Sequence, residues 1–142
     1  FDDMDKESEK MIHELASQLS VLMEENHLDR ALKKILQFSA HFNQYFQHKE
    51  PWKNGAGTNS CIFLAVNAVR SLAIAIYPFL PESSQKIWVQ LGLDGDVSTE
   101  MFDEISRITL KQGHKLGQVS PLFEKVEESV IEEQKSKLRG TS

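Results

Sequence analysis

The feature that most constrains the fold is an apolar segment from Cys61 to Leu80, "CIFLAVNAVRSLAIAIYPFL". A helix over about residues 60–77 carries apolar side chains on nearly all sides, which is typical of a helix at the centre of a bundle. Its length approaches that of a membrane span, but Arg70 near its middle would be costly in a bilayer. We therefore predict a buried core helix that ends at Pro78 and does not lie in a membrane.

Two amphipathic segments precede this helix. Apolar residues recur at helical spacing over about residues 5–25 and again from residue 28 to residue 48 or 49. Asn26 is suited to close the first helix in a left-handed conformation. Pro51 disfavours helical geometry at Glu50, so the second helix is expected to end just before that residue. The two segments predict a helical hairpin.

The remaining chain predicts shorter elements. Pro81 suits the first turn of a fourth helix, and Gly92 suits its C-terminal cap. The segment "TEMFDEIS" at 99–106 predicts one or two short helical turns, and 109–126 reads as an extended strap because glycine and proline interrupt it. A charged final helix is predicted over 127–138. The fold class is thus an all-α antiparallel bundle of four to five helices with an extended C-terminal strap and a final helix.

Composition limits the possible functions. The formal net charge is −5, whereas a domain that holds nucleic acid by long-range attraction is expected to be basic. Any role in nucleic-acid binding must therefore rest on a local site. Cys61 is the single cysteine, which excludes an intrachain disulfide and fits a reducing compartment. The acidic N-terminus "FDDMDKESEK" does not resemble a signal peptide, and we expect a cytoplasmic protein.

Catalytic patterns are scarce. "GAG" at 55–57 lacks the spacing and the lysine of a phosphate-binding loop. The histidines do not form the spaced pairs that metal sites use; they are His13, His27, His41, His48 and His114. We predict no catalytic residue, metal or cofactor in this chain.

A tryptophan placed just outside the second helix is the main candidate for a functional residue. In "FNQYFQHKEPWK", Trp52 follows Pro51 in a loop between two lysines, Lys49 and Lys53. An exposed indole can stack on an unpaired nucleobase, which contributes about 1–3 kcal/mol per base. The alternative is that Trp52 plugs the end of the bundle, since aromatic residues more often serve packing. The candidate binding residues are Asn43, Tyr45, Lys49, Pro51, Trp52 and Lys53.

Several motifs, in order along the chain, resemble the anticodon-binding domain of methionyl-tRNA synthetases. The first is the Asn-x-Tyr and Pro-Trp pattern in "NQYFQHKEPWK". The second is "AVRSLAIAIYPFLPESSQKIWVQLGL", with its Pro-Phe-x-Pro hinge and Leu-Gly-Leu ending. The third is "GHKLGQVSPLFEKVE", which is similar to the closing segment of that family and favours it over the relatives specific for valine, isoleucine or leucine. Together these motifs cover about residues 28–138.

The resemblance implies a role in translation. Trp52 would stack against a base of the CAU anticodon loop of methionine tRNA, Asn43 would shape the site and Pro51 would set the loop. Lys49 and Lys53 are added from spacing alone, as residues within reach of phosphates. The parent enzyme of such a domain uses ATP with magnesium, methionine and tRNA, and its catalytic domain in the same chain would be a partner of this one.

This sequence also departs from the family pattern. The peptides His-Ile-Gly-His and Lys-Met-Ser-Lys-Ser of the catalytic domain are absent, and so is an earlier helix that supplies further anticodon readers. We therefore expect residues 1–142 to be an anticodon-binding fragment without catalysis, which binds the anticodon loop weakly. The alternative function is a helical protein-interaction domain without RNA binding, in which the acidic last helix contacts a protein.

Overall fold

The computed structural model describes residues 2–53, 55, 57–93, 95–99 and 102–110. Within these ranges the chain forms four α-helices and no strand: α1, Asp3–Glu24; α2, Leu28–Lys49; α3, Thr58–Ile76; and α4, Pro81–Gln90. Short 3-10 turns occupy Pro51–Lys53, Val97–Thr99 and Phe102–Ser106. The predicted all-α bundle is confirmed. The predicted final helix and most of the predicted strap lie outside the described residues.

Helices α1 and α2 form the predicted hairpin. Asp2 caps α1, since its side chain accepts a hydrogen bond from the Asp5 amide while the Asp5 carboxylate accepts one from the Asp2 amide. Asn26 takes a left-handed conformation with φ of 61°, and His27 N donates to Leu22 O at 2.8 Å. This reversal at Asn26 lets the apolar stripes of both helices face the same core.

Helix α3 lies at the centre of the bundle. It contacts α1, α2 and α4, and most of its side chains are buried. Thr58–Ile76 is long and apolar enough to cross a membrane by length and composition, but 78% of that window is buried inside the protein. The core helix that the apolar segment predicts is therefore confirmed. The sequence also predicted where it stops, because the helix ends two residues before Pro78.

The polar residues within α3 bind the segment that follows α4. Asn67 Oδ1 accepts hydrogen bonds from the amides of Thr109 and Leu110 at 3.1 and 3.0 Å, and Asn67 Nδ2 donates to Leu110 O at 3.1 Å. Ser71 Oγ donates to Ile105 O at 2.5 Å. Buried polar side chains of an otherwise apolar helix thus hydrogen-bond the backbone of an irregular segment, which lacks a regular pattern of backbone hydrogen bonds within itself.

Arg70 completes this attachment. It is only 4% exposed, and its guanidinium donates to Glu104 O at 2.9 Å, to Arg107 O at 3.2 Å and to the Glu104 carboxylate at 3.1 Å. The guanidinium also lies 5.9 Å from the ring centroid of Trp88. The charge that argued against a membrane span is therefore compensated inside the protein.

Candidate nucleic-acid interface

Trp52 lies in the 3-10 turn that follows α2, at the end of the bundle where α1 and α3 begin. Its side chain is 55% exposed. The Phe46 ring is its described aromatic neighbour, with centroids 6.1 Å apart and planes tilted by 51°. The indole is thus supported in part by α2, and about half of its surface is open to solvent. This exposure is what a stacking role requires, and it excludes Trp52 as a sealed plug of the bundle.

The turn that presents Trp52 has a defined backbone. Glu50 takes a left-handed conformation with φ of 49° and donates its amide to Phe46 O at 3.2 Å, which ends α2. Pro51 is buried, and the Lys53 amide donates to Glu50 O at 3.0 Å. A left-handed residue followed by a proline of fixed φ leaves the chain few alternative directions. The predicted role of Pro51 in setting the loop for a ligand stays a prediction.

Tyr45 does not share the exposed surface. It is 2% exposed, and its hydroxyl donates a hydrogen bond to Asp5 Oδ1 across 40 residues of sequence. Burial raises the pKa of Tyr45, and the bond to Asp5 adds to the rise, so the phenol stays protonated and remains a donor. Any contribution of Tyr45 to ligand binding is therefore indirect.

Lys49 is also engaged within the protein. Its ammonium donates to Asp2 Oδ2 and lies 3.3 Å from Asp5 Oδ1, and its side chain is 13% exposed. Burial by itself would lower the pKa of Lys49, but the hydrogen bonds to Asp2 and Asp5 outweigh that effect and the pKa is raised. In this arrangement the charge of Lys49 is neutralised and is not available to a phosphate.

Lys53 has the opposite environment. Its side chain is 66% exposed, and its ammonium lies 2.5 Å from Glu50 Oε2. An exposed ion pair of this kind contributes little to stability, so the lysine can readily exchange its carboxylate partner for another anion. Of the two lysines predicted to reach phosphates, Lys53 is the one whose charge is accessible.

Asn43 lies on α2, one turn before Phe46. Its Oδ1 atom is shielded from solvent and has no hydrogen-bond partner among the described residues. A buried acceptor that is left without a donor costs about 1–3 kcal/mol. The predicted role of Asn43 in shaping the site stays a prediction.

Cys61 lies at the same end of the bundle and is fully buried in the first turn of α3. Burial raises the pKa of the Cys61 thiol to about 12, and the Asp5 carboxylate adds to the rise. The thiol is therefore not a nucleophile at neutral pH. Across the part of the chain that the structure describes, no three His, Cys, Asp or Glu side chains are grouped as a metal site requires.

Sequence reasoning missed Asp2 and Asp5 as neighbours of the site. Their sequence signal was acidic residues at a helix start, which already has a local explanation in helix capping. Their contacts with Tyr45 and Lys49 join positions 40 and 47 residues apart. Periodicity and spacing carry no information about such pairs, so only the folded structure reveals them.

The sequence was compared with known families and proteins. The family model described as "Anticodon binding domain of methionyl tRNA ligase" matches residues 2–142. A methionine–tRNA ligase of Saccharolobus islandicus is 33% identical over 97% of this chain and 25% of its own length. Those of Fusobacterium nucleatum and Pyrococcus horikoshii are 32% and 31% identical over 91% and 92% of this chain. No solved structure gives a significant match. The chain spans about a quarter or less of the curated relatives that it matches.

Proposed function

Because this chain belongs to the family of anticodon-binding domains of methionyl-tRNA ligases, we propose that it binds the CAU anticodon loop of methionine tRNA by stacking a base on Trp52. The single observation that supports this proposal is the exposed indole held on a rigid turn. Stacking on an aromatic ring contributes about 1–3 kcal/mol per base, enough for a local site on a protein of net charge −5. Lys53 is the cation best placed to accompany it.

The same proposal covers the longer protein. A parent ligase would use ATP with magnesium to join methionine to the tRNA, and this domain would select the tRNA for the catalytic domain of the same protein. The sequence of this chain contains neither nucleotide-binding peptide of the family. We therefore assign no step of the chemistry to its residues. The alternative function as a protein-interaction domain is not favoured, since the family match covers residues 2–142.

The test replaces Trp52 by alanine and measures binding of an RNA hairpin that carries the CAU anticodon loop. Trp52→Ala is expected to weaken binding by about 1–3 kcal/mol, because the stacked base loses its platform. Helix content and the melting temperature are expected to change little, since the ring is mostly exposed. Trp52→Phe, which keeps a smaller ring, is expected to give an intermediate affinity.

The matched control is Val89→Ala, which removes an apolar side chain that is even more exposed than Trp52 and lies on α4. It is expected to leave RNA binding unchanged. A hairpin of the same composition with the loop sequence reversed serves as the RNA control. Equal binding of both hairpins, or equal loss in both protein variants, would contradict the proposed function.

A further inference from the structure

The end of α2 that leads into Trp52 is tied to the start of α1. Tyr45 donates to Asp5 Oδ1, and Lys49 donates to Asp2 Oδ2 while lying 3.3 Å from Asp5 Oδ1. We call Asp2 and Asp5 the acidic clasp. The clasp holds two side chains one turn apart on the final turns of α2.

The contact between the clasp and Tyr45 lies on the buried side of α2. Tyr45 and Asp5 are both almost fully buried, so water cannot replace either partner of their bond. Asp5 uses its second oxygen to accept from the Asp2 amide at 3.0 Å, which fixes the orientation of the carboxylate. The cap of α1 therefore orients the Asp5 carboxylate so that its other oxygen can accept the hydrogen bond from Tyr45.

The direction of the Trp52 turn follows from the last turn of α2. Two residues separate Lys49 from Trp52, and these are the left-handed Glu50 and the buried Pro51. The Glu50 amide is bonded to Phe46 O, so a shift of the last turn of α2 is transmitted to the turn. The Phe46 ring that supports the indole belongs to the same turn of α2.

From this geometry we infer that Asp5, assisted by Asp2, is a positioning residue for RNA binding: it fixes the end of α2 and thereby holds the Trp52 indole in a stacking-ready orientation. The inference rests on the proposed function of Trp52. Asp5 does not touch the RNA; it acts through Tyr45 and Lys49. The clasp also neutralises Lys49, so the ammonium of Lys49 positions the end of α2 and does not attract phosphate.

The test uses a Trp88→Phe background, in which Trp52 is the single tryptophan of the chain. Asp5→Asn and Tyr45→Phe are expected to lower the fluorescence anisotropy of Trp52. Both are expected to weaken binding of the CAU hairpin about two- to tenfold, the effect of having to order one side chain on binding. Tyr45→Phe removes a single hydroxyl and is the milder change if Asp5→Asn perturbs folding.

The matched control is Asp3→Asn, which removes the same charge from an exposed position in the same turn of α1. It is expected to leave the anisotropy and the affinity unchanged. In a Trp52→Ala background, Tyr45→Phe is expected to cause no further loss of binding, because its effect passes through the indole. If Tyr45 served stability alone, Tyr45→Phe would still weaken binding in the Trp52→Ala background.

Two failures are distinguishable. If Trp52→Ala weakens RNA binding but Tyr45→Phe and Asp5→Asn leave it and the anisotropy unchanged, the clasp has no positioning role while the proposed function stands. If Trp52→Ala itself has no effect, the proposed function fails first. Loss of helix content in both Asp5→Asn and Tyr45→Phe would assign Asp5 to folding alone and overturn the inference.

Discussion

Asp2 shows how a single carboxylate joins two helices. Its Oδ1 atom accepts the Asp5 amide at 2.9 Å and caps α1, and its Oδ2 atom accepts from Lys49 at the end of α2. The hydrogen bond from Lys49, together with that from the Asp5 amide, lowers the pKa of Asp2 to about 2. A carboxylate with a depressed pKa stabilises the folded state only while it is charged.

This shift predicts an acid-dependent effect of Asp2→Asn. The folded-state pKa lies below the unfolded value of 3.8, so Asp2 stabilises the fold above about pH 4 and loses that contribution as the pH falls towards 2. Asparagine still caps a helix but cannot pair with Lys49 as an anion. The difference in urea midpoint between native protein and variant is expected to shrink over that range. A difference that stays constant down to pH 2 would contradict the assignment.

At this scale, the surroundings of some candidate site residues followed from sequence and those of others did not, for a physical reason. Trp52 was singled out because a tryptophan is unusual in a loop, and the structure does expose the indole. Lys49 was expected to reach phosphates from its spacing beside Trp52. The structure pairs it with Asp2 and Asp5 instead, because helix starts and ends that are remote in sequence meet at one end of the bundle.

Among the elements, α3 combines core packing with recognition of backbone. Asn67, Arg70 and Ser71 interrupt its apolar surface, and all three bond to residues 104–110. Asn67 is fully buried, and its amide bonds both the donor and the acceptor of Leu110. This is the pairing that a neighbouring strand would supply. The interruptions in the apolar segment therefore have a function that sequence did not reveal.

Replacing Asn67 by alanine is expected to lower the free energy of unfolding by about 3 kcal/mol. The amides of Thr109 and Leu110 would lose their acceptor, and the buried amide and carbonyl of Leu110 left unpaired cost roughly 1–3 kcal/mol each. Urea unfolding measures the loss, and hydrogen exchange at Thr109 and Leu110 locates it. Ser17→Ala is the control, since that exposed hydroxyl bonds only within α1 among the described contacts. Unchanged exchange at 109 and 110 would contradict the attachment.

Element boundaries were the most predictable part of the fold. Asn26, Pro51, Pro78 and Pro81 each act through the local backbone, so the sequence placed the ends of the four helices within a few residues. The buried all-round character of α3 followed from its composition. How the chain after α4 attaches was not predictable, because those bonds depend on side chains 34 to 43 residues earlier.

For the molecule as a whole, the net charge of −5 limits how it would bind RNA in the proposed function. General attraction to phosphates is unfavourable, and Lys49 is neutralised by the clasp. Recognition in the proposed function then depends on the indole and on very few cations. Binding of this kind is expected to respond weakly to salt.

The salt dependence of hairpin binding tests this view through Lys53. Each single-strand phosphate contact contributes about 0.7 to the slope of log K against log salt concentration. Lys53→Gln is expected to reduce the slope by about that amount, because its ammonium is exposed beside Trp52. Lys33→Gln removes the same charge from an exposed site in the first half of α2 and is expected to leave the slope unchanged. Equal effects of both variants would indicate long-range attraction instead.

Apart from the ion pair between Arg70 and Glu104, the hydrogen bonds that α3 side chains make to residues 104–110 all reach main-chain atoms of that segment. Bonds of this type do not depend on which side chains the attached residues carry. The receiving helix is thus constrained at its polar positions, whereas the attached segment is constrained mainly at Ile105 and Leu110, whose side chains enter the core, and at Glu104, which pairs with Arg70. For protein engineering, the exposed Arg107 and Thr109 are therefore the positions of this segment at which a foreign side chain can be introduced without redesigning the core.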